Sequence, residues 1–308
     1  MHVAVEDGKM TEWNAEMLQK LIQTSRERFS QMMEDVNQLD YEVIPLREEA
    51  GMMARLAIKK AHEGPARGCL IMCPGGGFLF KSWNEALPPA EYFYHQGLNV
   101  AILDYHVKND EEIKLIDPEF QRMAGEDGLQ AIRYLRFNAE KYSILPDHIA
   151  IGGFSAGGML SGYAATKFDY GNNAAEDPLL KISSRPDAAL ILYGAFSNTS
   201  SVPSLTGGMT REEIAKANKL DAIRNIHVDC PPMFVFQTHG DDPRIALNFC
   251  MELAVHGVPY EIHTFEDGPH GGGLYNGKDE TPDLPHTSMW AAIAADWLKS
   301  RGYFPTKE

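Results

Sequence analysis

The chain has 308 residues, 44% hydrophobic and 23% charged, a balance that excludes a disordered chain and suits one large α/β domain. Its 28 Lys and Arg against 43 Asp and Glu give a formal net charge of −15, which repels phosphate backbones and anionic bilayers and argues against nucleic-acid and membrane partners. The opening residues Met1-His2-Val3-Ala4-Val5-Glu6-Asp7 lack a basic patch followed by an apolar run, and no apolar run approaches the roughly 18 residues of a membrane span, so the expected location is cytoplasmic.

Leu18, Leu21, Ile22, Phe29, Met32, Met33, Val36 and Leu39 recur at spacings of three and four, which predicts an amphipathic helix from Thr11 to about Gln38, capped by Thr11. Such a stripe fits packing on its own domain, covering a site, or a contact in a homodimer. Residues 1–40 are therefore read as a helical extension, and 41–308 as the main domain. Tyr41–Leu46 and Met52–Lys59 read as strands forming an antiparallel entry to a sheet. Cys69–Cys73 is a continuous apolar run, as expected for a strand buried on both faces. From there strands and helices alternate: helix Glu85–Gln96 ending at Gly97, strand Asn99–Leu103, helix Pro118–Tyr142, strand His148–Ile151, helix Ala156–Thr166 and strand Ala188–Leu192. Strand Met233–Gln237, helix Ile245–His256, strand Tyr260–Phe265 and helix Ser288–Lys299 complete the series. This rhythm predicts an α/β fold: a mostly parallel central sheet, helices on both faces, and ligand sites beyond the carboxyl ends of the strands. It breaks between Ser197 and Pro232, which reads as a small insertion over the strand ends carrying a short helix at Thr210–Asn218.

The strongest chemical signal is Gly153-Phe154-Ser155-Ala156-Gly157. It follows a predicted strand and opens a predicted helix, the context in which a sharp turn exposes a serine hydroxyl above a helix N-terminus. A serine needs a base and an orienting acid. In this architecture they follow in the order acid, then histidine. Strand Met233–Gln237 leads to Asp241 and Asp242, and strand Tyr260–Phe265 leads to His270 in a glycine-rich loop. Asp241 lies 86 residues after Ser155 and His270 another 29 residues on, so all fall at the carboxyl end of one sheet. His270 would move the serine proton, and Asp241 would fix its tautomer and stabilise its cation. Spacing to the following helix favours Asp241, with Asp242 as the alternative. Pro74-Gly75-Gly76-Gly77-Phe78 follows strand Cys69–Cys73, and its glycines can turn N–H groups toward a tetrahedral oxyanion. The oxyanion hole is assigned to the N–H groups of Gly76, Gly77 and Ala156, with the number that donate left open.

Other residues point away from cofactors. Cys69, Cys73, Cys230 and Cys250 lack metal-ligand spacing and read as reduced, mostly buried thiols. His256, His263 and His270 recur every seven residues but on a helix end, a strand and a loop, and no H-E-x-x-H is present, so no metal is expected. No Gly-Lys-Ser/Thr follows the glycine loop, so no phosphate cofactor is expected. Phe78, Phe80, Trp83 and the insertion are candidates to line a pocket; the aromatics would equally fill core.

In these segments, together with Glu85, Asp104-Tyr105-His106-Val107, Arg185-Pro186-Asp187-Ala188, Pro231-Pro232-Met233-Phe234 and Gly268-Pro269-His270-Gly271, the chain resembles the α/β-hydrolase superfamily. Proline before the glycine triplet favours its carbohydrate-esterase-like branch, the xylan or acetyl esterases and lipase/esterases. The resemblance runs from about Arg67 to the C-terminal helix and leaves out the N-terminal helix. It implies an α/β-hydrolase fold and hydrolysis of short acyl esters, acetyl groups on sugars among them, with no cofactor. Two alternatives share these features: a serine peptidase of the prolyl-oligopeptidase kind, although the large N-terminal propeller region of such enzymes is missing here, and a non-catalytic binding protein that kept the fold.

Overall fold

The computed structural model describes residues 5–6, 9–10, 15–108, 117–194 and 220–305. Its centre is an eight-stranded sheet in the order β10-β9-β8-β7-β5-β6-β4-β3. Strands β5 (Arg67–Cys73), β6 (Asn99–Asp104), β7 (Ile144–Phe154), β8 (Ala188–Leu192), β9 (Met233–Thr238) and β10 (Tyr260–Phe265) run parallel. The hairpin β3 (Tyr41–Glu49) and β4 (Met52–Lys59) adds antiparallel strands beside β6. Two short strands, β1 (Val5–Glu6) and β2 (Lys9–Met10), pair with each other.

Helices cover both faces of the sheet, and strand alternation decides which side chain meets which helix. Cys69, Ile71 and Cys73 of β5 join Ile132 of α3 (Pro118–Phe137), Leu160 of α4 (Ala156–Thr166) and Phe249 of α5 (Arg244–Val255) in one core. Leu70 and Met72 point the other way, toward Met33 of α1 (Ala15–Asp35), Phe93 of α2 (Leu87–Gln96) and Trp290 of α6 (Pro285–Ser300). The described part of α1 packs on its own chain. Phe29, Met32 and Met33 enter that second core, Leu18 and Ile22 cover Leu79 and Phe80, and Arg26 donates to the carbonyls of Leu79 and Lys108 at 2.9 and 2.6 Å. Phe80 therefore fills the contact beneath α1, and Phe78 lies edge-on to buried Tyr105.

Several boundaries differ from the sequence reading for local reasons. The expected helix Glu85–Gln96 is split into a 3-10 turn at Trp83–Glu85 and α2 from Leu87. Pro88 and Pro89 lack N–H donors and are tolerated in a first helical turn only. Helix α3 stops at Phe137, because the side chain of Asn138 donates to the Tyr134 carbonyl and the backbone turns at Ser143 (φ 49°). Strand β7 is longer than its apolar run, since pairing with β5 and β8 extends it. Thr11, the expected helix Thr210–Asn218 and most of the expected insertion lie outside the described residues.

Candidate active site

Strand β7 runs into Ser155, whose backbone has φ 51° and ψ −116°, and α4 begins at the next residue. This strained turn is held by the Ser155 N–H donating to the Leu192 carbonyl at 3.0 Å. It needs glycine at position 157, where a Cβ would sit 2.0 Å from the carbonyl oxygen of Cys73. The turn therefore packs directly against the end of β5, which brings Ser155 beside the glycine loop.

Of the expected site residues, the structure brings Ser155, His270 and Asp241 together. His270 Nε2 lies 2.8 Å from Ser155 Oγ, and His270 Nδ1 lies 2.5 Å from Asp241 Oδ2. A carboxylate only accepts, so Nδ1 carries the proton and Nε2 is left to accept from the serine hydroxyl. Both His270 and Asp241 are about four-fifths buried, at 20% and 18% side-chain exposure, so the pair is shielded from solvent while the imidazole edge stays open. Asp242 points elsewhere: its carboxylate accepts from Arg244 Nε at 2.8 Å, and these bonds to Arg244 hold its pKa below the usual carboxylate range. Of the two acids, Asp241 is the one that faces His270 and Asp242 the one that faces Arg244. His239 is exposed, and His263 pairs with Glu261 rather than with another histidine.

The glycine loop is wound around its own carbonyls. Leu79 and Phe80 donate to the Gly76 oxygen and Ser82 to the Gly75 oxygen, and Tyr105 Oη donates to the Pro74 carbonyl at 2.8 Å. Gly76 and Gly77 have φ of 129° and 62°, a region that favours glycine. The Gly75 N–H is spent on Glu85 Oε2 at 3.0 Å. Among the described residues, nothing accepts from the N–H groups of Gly76, Gly77 and Ala156, which leaves these three as free donors beside the serine turn.

Sequence reasoning missed three polar residues around this site. Gln237, at the end of β9, donates from Nε2 to the same Asp241 oxygen that His270 uses, at 3.2 Å. Glu85 was part of the family resemblance but had no role; it is 2% exposed and accepts from Tyr193 Oη at 2.5 Å as well as from Gly75. Tyr193, just past β8, lies edge-on to the His270 ring at 5.0 Å. Burial first, and then the charge of Glu85, keeps its hydroxyl far above the usual phenol range, so it is a permanent donor. A backward search from the strand end would have found Gln237; nothing local marks Tyr193.

The four cysteines are buried free thiols, and burial pushes the Cys250 thiol up to about 12. Among the described residues, no group of three or more His, Cys, Asp or Glu is arranged to hold a metal ion, and no helix is long and apolar enough to cross a membrane.

The BD-FAE family model matches residues 56–254, more than half of the chain. The chain belongs to the BD-FAE family. That match spans Ser155 and Asp241, and His270 follows it. Among curated relatives, endo-1,4-beta-xylanase B of Butyrivibrio fibrisolvens is 27% identical over 88% of this chain and 43% of its own length. An acetylxylan esterase of Xylanibacter ruminicola is 28% identical over 35% of this chain and 21% of its own. The chain thus spans less than half the length of the curated relatives it matches. Among solved structures, the acetyl ester-xyloside bifunctional hydrolase of Caldicellulosiruptor lactoaceticus superimposes with a TM-score of 0.72 at 26% identity, covering 86% of this chain and 97% of that one. The carboxylesterase Cest-2923 of Lactobacillus plantarum gives a TM-score of 0.69 at 23% identity, over 87% and 99%, and shares the fold. The α/β-hydrolase fold expected from sequence is therefore the one observed, and the named neighbours of this BD-FAE member are enzymes acting on ester bonds.

Proposed function

We propose that this chain is a serine carboxylesterase that hydrolyses short acyl esters, with acetyl groups on carbohydrates as its substrate class. The observation that carries this reading is the unbroken relay from Asp241 through His270 to Ser155 Oγ. His270 Nε2 takes the hydroxyl proton as Oγ attacks the acyl carbon. The oxyanion that forms meets N–H groups of Gly76, Gly77 and Ala156. Asp241 stabilises the imidazolium, which then protonates the leaving alcohol. Water, activated by the same imidazole, releases the acid from the acyl-serine and restores the enzyme. The chemistry closes with protein groups and water. The choice of acetylated sugars is supported by the names of the relatives, an acetylxylan esterase and an acetyl ester-xyloside hydrolase.

The test is a panel of chromogenic esters of increasing acyl length together with acetylated xylo- and manno-oligosaccharides. Acetate should turn over faster than longer acyl groups, and Ser155→Ala should lose several orders of magnitude, about 10³-fold or more. Absence of turnover on every ester, or full activity in Ser155→Ala, overturns the reading. Faster cleavage of an aminoacyl amide than of the acetate replaces it with a peptidase.

A further inference from the structure

Among the described residues no cation pairs with the buried carboxylate of Glu85, and yet both of its oxygens are occupied. Oε2 accepts from the Gly75 N–H at 3.0 Å, and Oε1 accepts from Tyr193 Oη at 2.5 Å. Tyr193 Oη in turn accepts from the N–H of Gly273 at 3.0 Å, three residues beyond His270. The Gly273 carbonyl is held by Trp290 Nε1 at 3.1 Å. One chain of hydrogen bonds therefore runs from the root of the glycine loop, through Glu85 and Tyr193, to the loop that carries the histidine. Glu85 and Tyr193 lie at 2% and 0% exposure, so no water competes for these bonds. The Tyr193 ring also abuts the imidazole. Gly75 itself lies so near the serine turn that an added Cβ would be 2.9 Å from Ser155 Cβ.

We propose that Glu85 is a positioning residue that, through Tyr193, locks the oxyanion loop and the histidine loop into one register around Ser155. The inference rests on the esterase reading above and adds a residue to it. A neutral network would hold either loop alone. A carboxylate is needed because two donors converge on one side chain from opposite sides, and it is the only side chain of this length that offers two acceptor oxygens. An amide at position 85 has one acceptor oxygen; turned to the Gly75 N–H, it presents its NH2 to Tyr193, whose hydroxyl proton then loses its charged acceptor, so the connection to one loop is weakened or released. Release of either loop displaces an N–H donor or the imidazole relative to the serine, and a misplacement of about 1 Å costs on the order of 100-fold in rate.

The experiment measures kcat and KM on a chromogenic acetate for wild type, Glu85→Gln, Tyr193→Phe and the double variant. Rates are expressed per active site titrated with a fluorophosphonate, so that misfolded protein does not count. Each single variant should lose about 10- to 100-fold in kcat with KM changed by less than about threefold. The double variant should be no worse than the poorer single one, because both break the same connection. Tyr193→Phe keeps the ring against His270 and carries the test alone where Glu85→Gln does not fold. Wild-type kcat per titrated site in the folded variants, or losses that multiply in the double variant, overturn the proposal. Wild type without ester turnover sinks the esterase reading itself, a different outcome from an active wild type with indifferent variants.

Discussion

Neutralising Asp241 and Asp242 in turn separates two acids that are adjacent in the chain and divergent in space. In Asp241→Asn, the two donors that reach the carboxylate, His270 Nδ1 and Gln237 Nε2, converge on the same oxygen at 2.5 and 3.2 Å. An asparagine that turns its carbonyl toward them keeps both hydrogen bonds, so the tautomer of His270 survives and the loss is mainly that of charge. A carboxylate and an imidazolium centred about 4 Å apart attract by about 4 kcal/mol at an effective dielectric constant near 20. That attraction exists only while the imidazole is protonated, which is when the transition state forms, so about 10³-fold in kcat should disappear. Asp242 binds Arg244, whose side chain is 80% exposed, and its carboxylate has no part in the relay; Asp242→Asn should stay within about threefold of wild type. Initial rates on a chromogenic acetate at saturating substrate, per titrated site, give both numbers. An Asp241→Asn enzyme within tenfold of wild type, or an Asp242→Asn enzyme worse than Asp241→Asn, would refute the assignment of charge stabilisation to Asp241.

Other perturbations test the scaffold. Gly157→Ala drives a methyl to 2.0 Å from the Cys73 carbonyl oxygen and 2.6 Å from that of Pro74; because these contacts are backbone and cannot swing aside, about 3 kcal/mol or more of stability should go, read as a lower urea midpoint. Met33→Ala, at 2% exposure in the core beneath α1, should cost about 2–5 kcal/mol in the same assay; an unchanged midpoint would show that α1 does not depend on this packing. His106 offers a pH signature: Nδ1 faces Asp127 Oδ2 at 2.7 Å and Nε2 faces the Met52 carbonyl at 3.1 Å, and both partners only accept, so the ring donates twice and is cationic. Burial lowers its pKa, but the hydrogen bond and charge of Asp127 outweigh burial and the net shift is upward. Its stabilisation is therefore complete below the unfolded value of about 6.5 and fades as pH rises through the folded one. Between about pH 6 and pH 9, wild type should lose more unfolding free energy than His106→Gln, and equal losses would remove the ion pair from the account.

The sequence alone set the local stereochemistry of the site. Gly153 to Gly157 between an apolar run and a helix of small residues leaves the chain few ways to turn other than the one observed, and continuous apolar runs such as Cys69–Cys73 demand burial on both faces. The order serine, acid, histidine followed from strands that all deliver their carboxyl ends to one rim. Neighbouring residues encode these features, so they are legible without a fold. Spacing to the following helix leaned to Asp241, but only tertiary structure parted it from Asp242, since one carboxylate meets His270 and the other meets Arg244. It also joined Glu85 to Tyr193 across 108 positions and sent Phe80 under α1 rather than into a pocket. Periodicity records which face of an element is apolar; it carries no information on which buried donor meets which buried acceptor, because that pairing depends on how strands distant in the chain are ordered side by side.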